Sequence, residues 1–218
     1  MNILFNVGHP GHIHLFRNAI KELEKNKHKT IVTYKEKDIV FDLLEKYALN
    51  SVNIGSNVRG RISKAINLLK LERNFYNVCL ENDIDLIACV ASPHAAHVGK
   101  LLDIPVLLYD DTDHKKLEFF IFSKFPTKIY TPHNFKLDFG RIHHRHNSLH
   151  ELAYLHPDRF IPDIKVKKQL NIREDELCFF LRFVSWKAFH DSGQFGFTVK
   201  EKFKLIHMLL NKGKILIS

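Results

Sequence analysis

The stretch that decides the fold opens the sequence: NILFNVGHPGHIHLF, residues 2–16. Residues 2–7 form a mainly apolar run, which is typical of a strand covered on both faces of a sheet. A turn rich in Gly, Pro and His follows at residues 8–12. Beyond it, apolar residues recur at helical spacing: Ile13, Phe16, Ile20 and Leu23. The stretch predicts a strand, a turn and a helix, with the turn at the carboxyl end of the strand, where open α/β sheets bind ligands.

The same alternation continues along the next hundred residues. Further apolar or β-branched runs are predicted as strands, at residues 30–34, 51–54, 86–90 and 106–109. Helical patterns separate them, at about residues 38–47, 62–80 and 93–102. Strands that alternate with helices indicate βαβ units with right-handed crossovers. The sequence therefore predicts an α/β fold, a Rossmann-like parallel sheet with helices on both faces.

Beyond residue 115 the pattern changes. Shorter elements are predicted: a helix at 117–122 and strands at 128–130 and 142–146. The first domain is assigned to residues 1–155 and a linker to residues 156–176. Residues 154–163, which extend across this boundary, contain two prolines and are interpreted as a segment that crosses to the next domain.

A second, incomplete Rossmann-like domain is assigned to residues 177–218. Its predicted elements are a strand at 178–183, a helix at 198–210 and a strand at 215–217. Two strands and one helix cannot cover their own apolar faces. We therefore expect either a truncated copy of a longer protein, which is the favoured interpretation, or a piece that packs on the first domain or on a partner.

Composition narrows the class of protein. The formal net charge is +9 with fifteen histidines in addition, which suggests an anionic partner. No block of five basic residues occurs, so nucleic acid is not expected as a partner. The three cysteines form no CxxC pair and suit reduced thiols of a cytoplasmic protein. No apolar stretch approaches the ~20 residues that span a bilayer.

The predicted topology brings three loops together, at residues 8–12, 91–94 and 110–114. Each follows a predicted strand, and in a doubly wound sheet such loops converge on one crevice. Gly8 and Gly11 would let a ligand approach the backbone closely, and the helix N-terminus after them favours an anion. The GxGxxG pattern is absent, so no dinucleotide fingerprint is present.

The histidines of these loops are candidates for catalysis or binding. His12 or His14 could be a general base for a substrate hydroxyl, because imidazole titrates near neutral pH; each could instead cap the loop. Ser92 and His94 are candidates for substrate binding. His94 and His97 have a spacing that could bind a metal, but no third ligand accompanies them, and the sequence demands neither a metal nor a cofactor.

Asp110 and Asp111 are also substrate-binding candidates. Carboxylates at this position could orient a sugar hydroxyl or hold a divalent ion. The alternative is a capping segment, since Asp and Thr before a helix are the usual N-cap residues. The sequence leaves both interpretations open.

The start of the second domain adds a further group of candidates: Arg182, Trp186, His190 and Asp191. Arg182 lies on an otherwise apolar strand, so it needs a partner if it is buried. That partner could be Asp191, which would be a structural use, or a phosphate of a ligand.

Three segments together carry a family resemblance: HPGHIHLF at residues 9–16, ELAYLHPDRF at 151–160 and RFVSWKAFHD at 182–191. In this order they resemble domain-of-unknown-function family 354, which looks like the GT-B glycosyltransferases and the UDP-N-acetylglucosamine 2-epimerases. The resemblance implies two Rossmann-like domains across a cleft. The first would handle a hydroxyl acceptor and the second most of a nucleotide-sugar donor.

The function implied is sugar transfer from a nucleotide-sugar to a hydroxyl acceptor in glycan biosynthesis, in a chain that is incomplete as it stands. His12 or His14 would be the general base, and the residues named above would line the cleft. The positive charge would suit a lipid-linked acceptor and peripheral association with the inner face of a membrane. The alternatives are a sugar-nucleotide 2-epimerase, and a non-catalytic remnant or binding subunit completed by another chain.

Overall fold

The structure is a computed structural model. It describes residues 1–36, 39–56, 58, 61–112, 122–183 and 195–218. These divide into two units, Met1–Phe160 and Ile161–Ser218, and the division falls inside the segment predicted as a linker. The helix predicted at 117–122 lies, apart from its last residue, outside the described residues.

The first unit is built on a parallel sheet. Its strands are β1 (Asn2–Val7), β2 (Lys29–Glu36), β3 (Ser51–Ser56), β4 (Leu86–Val90), β5 (Val106–Tyr109), β6 (Lys128–Pro132) and β7 (His143–His146). Among the described residues the sheet has seven strands in the order β3-β2-β1-β4-β5-β6-β7, and every neighbouring pair is parallel. The predicted α/β, Rossmann-like class is confirmed.

β1 lies at the centre of this arrangement. It pairs with β2 on one side and with β4 on the other. Leu4 faces one hydrophobic core, whereas Ile3 and Phe5 face a second core on the opposite side of the sheet. All three side chains are buried. Burial on both faces explains why the apolar run of β1 is unbroken.

Helices cover both faces. They are α1 (Pro10–Lys25), α2 (Val40–Lys46), α3 (Arg61–Glu81), α4 (Pro93–Leu101) and α5 (Leu152–Leu155), with a 3₁₀ turn at Gly140–Ile142. α1 and α2 contribute to the core that contains Phe5, and α3 and α4 to the core that contains Leu4. Ile13, Phe16 and Ile20 of α1 are buried, as their spacing predicts.

A glycine permits close packing between α4 and β5. A Cβ built on Gly99 would lie 2.2 Å from Val106 Cγ2 and 3.2 Å from the carbonyl oxygen of Ile104. Real Cβ atoms do not approach this closely, so a side chain at position 99 would force the helix away from the strand. The last turn of α4 can therefore rest directly on the first residue of β5.

The end of the first unit differs from its prediction. Tyr154, which the sequence predicts as the first residue of a crossing segment, belongs to α5. α5 is fixed to α1, because Asn18 Nδ2 donates a hydrogen bond to the carbonyl oxygen of Ala153 at 2.8 Å. This hydrogen bond and the aromatic contact of Tyr154 with His14 hold α5 against α1.

The second unit contains α6 (Lys165–Gln169), β8 (Cys178–Leu181), α7 (Val199–Leu210) and β9 (Lys214–Ile217). β8 and β9 pair in parallel, as the predicted strand–helix–strand order requires. α7 begins with a capping box, in which the Thr198 hydroxyl accepts from the Glu201 N–H and the Glu201 carboxylate accepts from the Thr198 N–H. The strand predicted to reach residue 183 ends at Leu181.

Candidate functional site

The carboxyl ends of β1, β4 and β5 carry the polar residues predicted to form a site. These strands are neighbours, and the strand order reverses at the β1–β4 pair, since β2 and β3 lie to one side and β4 to β7 to the other. Doubly wound sheets bind ligands in the crevice that opens at such a reversal. The turns at residues 8–9, 91–92 and 110–112 therefore lie along one edge of the first unit.

Two histidines organise the turn between β1 and α1. His9 is the N-cap of α1, and its Nδ1 accepts a hydrogen bond from the N–H of Gly11 at 3.1 Å. His12 Nδ1 accepts from the N–H of Gly8 at 3.2 Å. A neutral imidazole has one donor and one acceptor nitrogen, so this bond leaves the proton of His12 on Nε2. His12 is thereby arranged to donate a hydrogen bond from Nε2.

Lys35, at the end of β2, is a site residue that sequence reasoning missed. A Cβ built on Gly8 would lie 3.7 Å from Lys35 Cε and 4.0 Å from its Nζ, so the lysine side chain lies over the turn after β1. Burial is the main cause of the lowered pKa of His94, and the charge of Lys35 lowers that pKa further. The sequence did contain a signal for Lys35. It lies at the end of the second predicted strand, which is rich in β-branched residues.

His14 lies in an aromatic cluster on the outer side of α1. Its ring centroid is 5.8 Å from that of Tyr47 and 5.3 Å from that of Tyr154. The Arg17 guanidinium lies 4.6 Å above the Tyr47 ring. Burial, followed by the charges of Arg17 and Lys46, lowers the pKa of His14. The neutral form, which can accept a proton, is therefore favoured near pH 7.

Ser92 and His94 form the amino end of α4. Ser92 is the N-cap and accepts from the N–H of Ala95. The His94 ring packs edge-on against Phe75, lies 3.2 Å from Ser92 Oγ and is 3% exposed. Burial lowers its pKa to about 3, so the ring is neutral. His94 occupies the position of a packed core residue, and its contact with a substrate stays a prediction.

His94 and His97, whose spacing could suit a metal ion, contact different partners. His97 Nδ1 lies 2.6 Å from Glu72 Oε1, between α3 and α4, whereas His94 packs against Phe75. Within the described ranges, no group of three His, Cys, Asp or Glu side chains is arranged to hold a metal ion.

Asp110 and Asp111 have different roles at the end of β5. Asp110 is buried, and its Oδ1 accepts from the N–H groups of Asp111 and Thr112 at 2.8 and 2.9 Å. Asp110 thereby closes a local turn with the backbone that follows β5. Asp111 is half exposed, and its Oδ1 accepts from the Thr112 hydroxyl at 3.0 Å.

His150, just before α5, is a second residue that sequence reasoning missed. Its Nδ1 lies 3.4 Å from Asp111 Oδ2, and its side chain is 11% exposed. The hydrogen bond from His150 is the main reason that the pKa of Asp111 is lowered to about 2. The two residues are far apart in the chain, so no local pattern could have found the pair.

In the second unit, Arg182 lines a cavity of about 400 Å³. The other lining residues are Phe183, Phe195, Gly196, Phe197, Glu201 and Lys202. The Lys202 ammonium lies 5.2 Å above the Phe183 ring. Two cations beside aromatic rings suit a ligand that carries phosphate and an aromatic base. Trp186, His190 and Asp191, which were predicted to join this group, lie outside the described residues.

None of the helices in the described part of the chain combines the length and the apolar content of a membrane span.

The fold and the position of the turns place the chain in the class of Rossmann-like α/β proteins. It resembles solved structures of two enzyme groups that share this architecture, the UDP-GlcNAc 2-epimerases and the GT-B glycosyltransferases.

The UDP-GlcNAc 2-epimerase of Methanocaldococcus jannaschii matches with a TM-score of 0.69 and 14% identity, over 100% of this chain and 65% of that one. The enzyme of Neisseria meningitidis, solved with UDP-GlcNAc, matches with a TM-score of 0.69 and 12% identity over the same shares. MurG of Acinetobacter baumannii matches with a TM-score of 0.53 and 16% identity, over 63% of this chain and 42% of that one.

These likenesses concern the fold. The chain spans about two fifths to two thirds of the length of these structures. No family model and no curated protein matches the sequence. The resemblance to domain-of-unknown-function family 354 therefore has no support beyond the three segments that suggested it.

Proposed function

We propose that the chain belongs to a sugar-nucleotide enzyme of glycan biosynthesis, which transfers a sugar from a nucleotide-sugar to a hydroxyl acceptor. The observation that carries the proposal is the set of polar groups around the β1–α1 turn. Gly8 leaves the backbone open, His12 is arranged to donate from Nε2, and the side chain of Lys35 lies across the turn. Together with the N-terminus of α1, these groups would stabilise phosphate oxygens.

Two histidines are proposed for proton transfer, as the sequence suggested. His14 is favoured on charge, because its lowered pKa keeps the ring neutral and able to accept a proton. His12 would have to give up the bond from Gly8 to present an unprotonated Nε2. We therefore assign His12 to phosphate or sugar oxygens by donation, and keep His14 as a candidate for the base.

Taken by itself, the second unit has a candidate nucleotide-binding surface of its own, at Arg182 and Lys202. Both line the same cavity as Phe183, whose ring offers a stacking surface for a base. Asp111 and Ser92 in the first unit would accept and donate hydrogen bonds to sugar hydroxyls. No metal or other cofactor is assigned a role.

The second candidate function is epimerisation of a sugar nucleotide at C2. It is favoured by the likeness to two UDP-GlcNAc 2-epimerases, which extends over the whole chain. The two functions differ in their products. Incubation with UDP-N-acetylglucosamine followed by chromatography would show a new sugar-nucleotide isomer for an epimerase, and free UDP for a transferase that uses water as a slow acceptor.

Calorimetry of UDP-N-acetylglucosamine tests the proposal, with Lys35→Ala as the site variant. Loss of one charged hydrogen bond should weaken binding about tenfold. Lys21→Ala, an exposed lysine of α1, removes the same charge away from the turn and should bind like the wild type. If the wild type, Lys35→Ala and Lys21→Ala bind with equal affinity, the turn does not bind phosphate. Binding without any turnover would favour a binding subunit.

A lipid-linked acceptor and peripheral membrane association remain part of the proposal. They are supported by the net charge of +9. Flotation with vesicles that contain anionic phospholipid should retain the chain at low salt and release it at high salt. Equal retention on neutral vesicles would contradict an electrostatic association with the inner face of a membrane.

A further inference from the structure

Histidines paired with carboxylates recur in the described part of the first unit. The pairs within 4 Å are His97–Glu72, His143–Asp138, His150–Asp111 and His156–Asp158. A carboxylate that accepts from one ring nitrogen raises the basicity of the other, which is how an acid–base histidine is prepared. What each pair can do therefore depends on the second nitrogen.

Two of these pairs have structural uses. His143 Nε2 lies 2.8 Å from Thr131 Oγ1, so both nitrogens of this buried ring are engaged. His156 is exposed, and its Nδ1 accepts from the N–H of Asp158 in a local turn. His97 lies between α3 and α4 with its ring against Phe125.

His150 differs from the others in place and in bonding. It lies beside the carboxyl end of β5, where Asp111 follows the strand. Its Nε2 is enclosed, and nothing in the described ranges donates to it or accepts from it. A buried polar atom without a partner is uncommon in native proteins and calls for a ligand or a water molecule.

Asp111 is held firmly as the partner of this ring. Its Oδ1 accepts from the Thr112 hydroxyl, and the backbone around it is fixed by Asp110. The hydrogen bond from His150 lowers its pKa to about 2, so it is a carboxylate at any physiological pH. It would accept the Nδ1 proton of His150 and leave the Nε2 lone pair for a substrate.

The neighbours of the pair connect it to the rest of the candidate site. The ring of His146 stacks on His150 with centroids 6.1 Å apart. Tyr154, four residues after His150, packs against His14. Burial is the main cause that raises the pKa of Tyr154, and the charges of Arg17 and Asp111 also act on it. The pair therefore lies in the same neighbourhood as the aromatic cluster of α1.

We propose that Asp111 and His150 form the acid–base pair of the sugar-nucleotide site, with His150 Nε2 as the atom that accepts the substrate proton. This inference rests on the proposed function and names His150, in place of the candidate His14, as the base. In a transfer, the acceptor hydroxyl gives its proton to Nε2 while its oxygen bonds to the anomeric carbon. The bond from that carbon to the phosphate oxygen breaks, and its electron pair leaves with the nucleoside diphosphate.

Release of UDP from UDP-N-acetylglucosamine by the full chain, with water as acceptor, tests the role. His150→Gln should lower kcat by about 100-fold or more, the usual contribution of an acid–base group, and change KM little. His143→Gln, which alters a fully engaged pair, should stay within about threefold of the wild type once melting shows both variants folded. Equal rates for His150→Gln and the wild type would overturn the role and leave the proposed function in place.

Nitrogen-15 NMR of the histidine rings supplies a readout that does not depend on turnover. The signal of His150, identified by its loss in His150→Gln, should show a protonated Nδ1 and an unprotonated Nε2. Asp111→Asn should disturb that state. The opposite tautomer in the wild type would overturn the proposal. A chain that binds no UDP-N-acetylglucosamine at all would overturn the proposed function, and the role of His150 with it.

Discussion

The N–H of Gly8 donates a hydrogen bond to Nδ1 of His12 at 3.2 Å, across the turn that joins the central strand to the first helix. The bond fixes the ring and leaves its proton on Nε2. One contact thus shapes the turn and determines that His12 offers a donor. The two effects can be separated by mutation.

His12→Asn should keep the turn and lose the donor. The Asn Oδ1 can replace Nδ1 as acceptor for Gly8, but no group replaces Nε2. Thermal stability should therefore change little, while the affinity for UDP-N-acetylglucosamine falls about tenfold. His12→Leu removes both groups and should lower stability as well. If His12→Asn binds as tightly as the wild type, the donor role is wrong.

His94 makes the stability of the first unit depend on pH. Its pKa falls from 6.5 to about 3 on burial, so the unfolded chain binds a proton between these values that the folded chain does not. The free energy of unfolding should therefore decrease as the pH falls from 6.5 towards 3, by about 1.4 kcal/mol per pH unit for one proton.

His94→Leu should remove that part of the slope, as measured by urea unfolding at several pH values. His133→Leu is the control, because His133 is exposed in the same unit. A slope that is the same in the wild type and in His94→Leu would mean that His94 is accessible to water. In that case the His94 ring could also contact a ligand.

Gly99→Ala tests the contact between α4 and β5. The new Cβ would meet Val106 Cγ2 at 2.2 Å, so helix or strand must move. We expect a loss of about 1–3 kcal/mol in the free energy of unfolding, the usual cost of overpacking. Lys100→Ala, an exposed neighbour on the same helix, should change stability by less than about 0.5 kcal/mol. A neutral Gly99→Ala would contradict the close packing.

The cysteines provide a chemical test of the fold. Cys79 and Cys89 are buried, and burial raises the pKa of both thiols to about 12. Cys178, on β8, is exposed. An alkylating reagent at pH 8 should therefore modify one thiol per folded chain, which peptide mapping should identify as Cys178, and all three in denaturant. Rapid modification of Cys89 in the folded protein would contradict its place at the centre of the sheet.

The fold could be predicted because the information is local. The runs at β1, β4 and β5 are continuously apolar, and each ends at a turn former. The helix spacing of Ile13 and Phe16 requires no knowledge of the rest of the chain. Beyond residue 115 the elements are short, and α5 is held by a bond from Asn18, which no local pattern displays.

The site could be predicted only in part. The turns were found because the topology places them at one edge. The orientation of individual side chains could not be found. His94 follows a strand end like His12, yet its ring packs against Phe75, which comes from a different helix. The pair of His150 and Asp111 could not be predicted for the same reason. Packing between segments that are distant in the sequence brings this ring to this carboxylate.

The central claim is that a sugar nucleotide binds at the carboxyl edge of the sheet through the β1–α1 turn. Hydrogen–deuterium exchange of the full chain with rising concentrations of UDP-N-acetylglucosamine tests it most directly. The account predicts slower exchange at residues 8–12 and 110–112, and no effect of N-acetylglucosamine alone, which lacks the phosphates. Unchanged exchange at these residues, at concentrations where calorimetry shows binding, would contradict it.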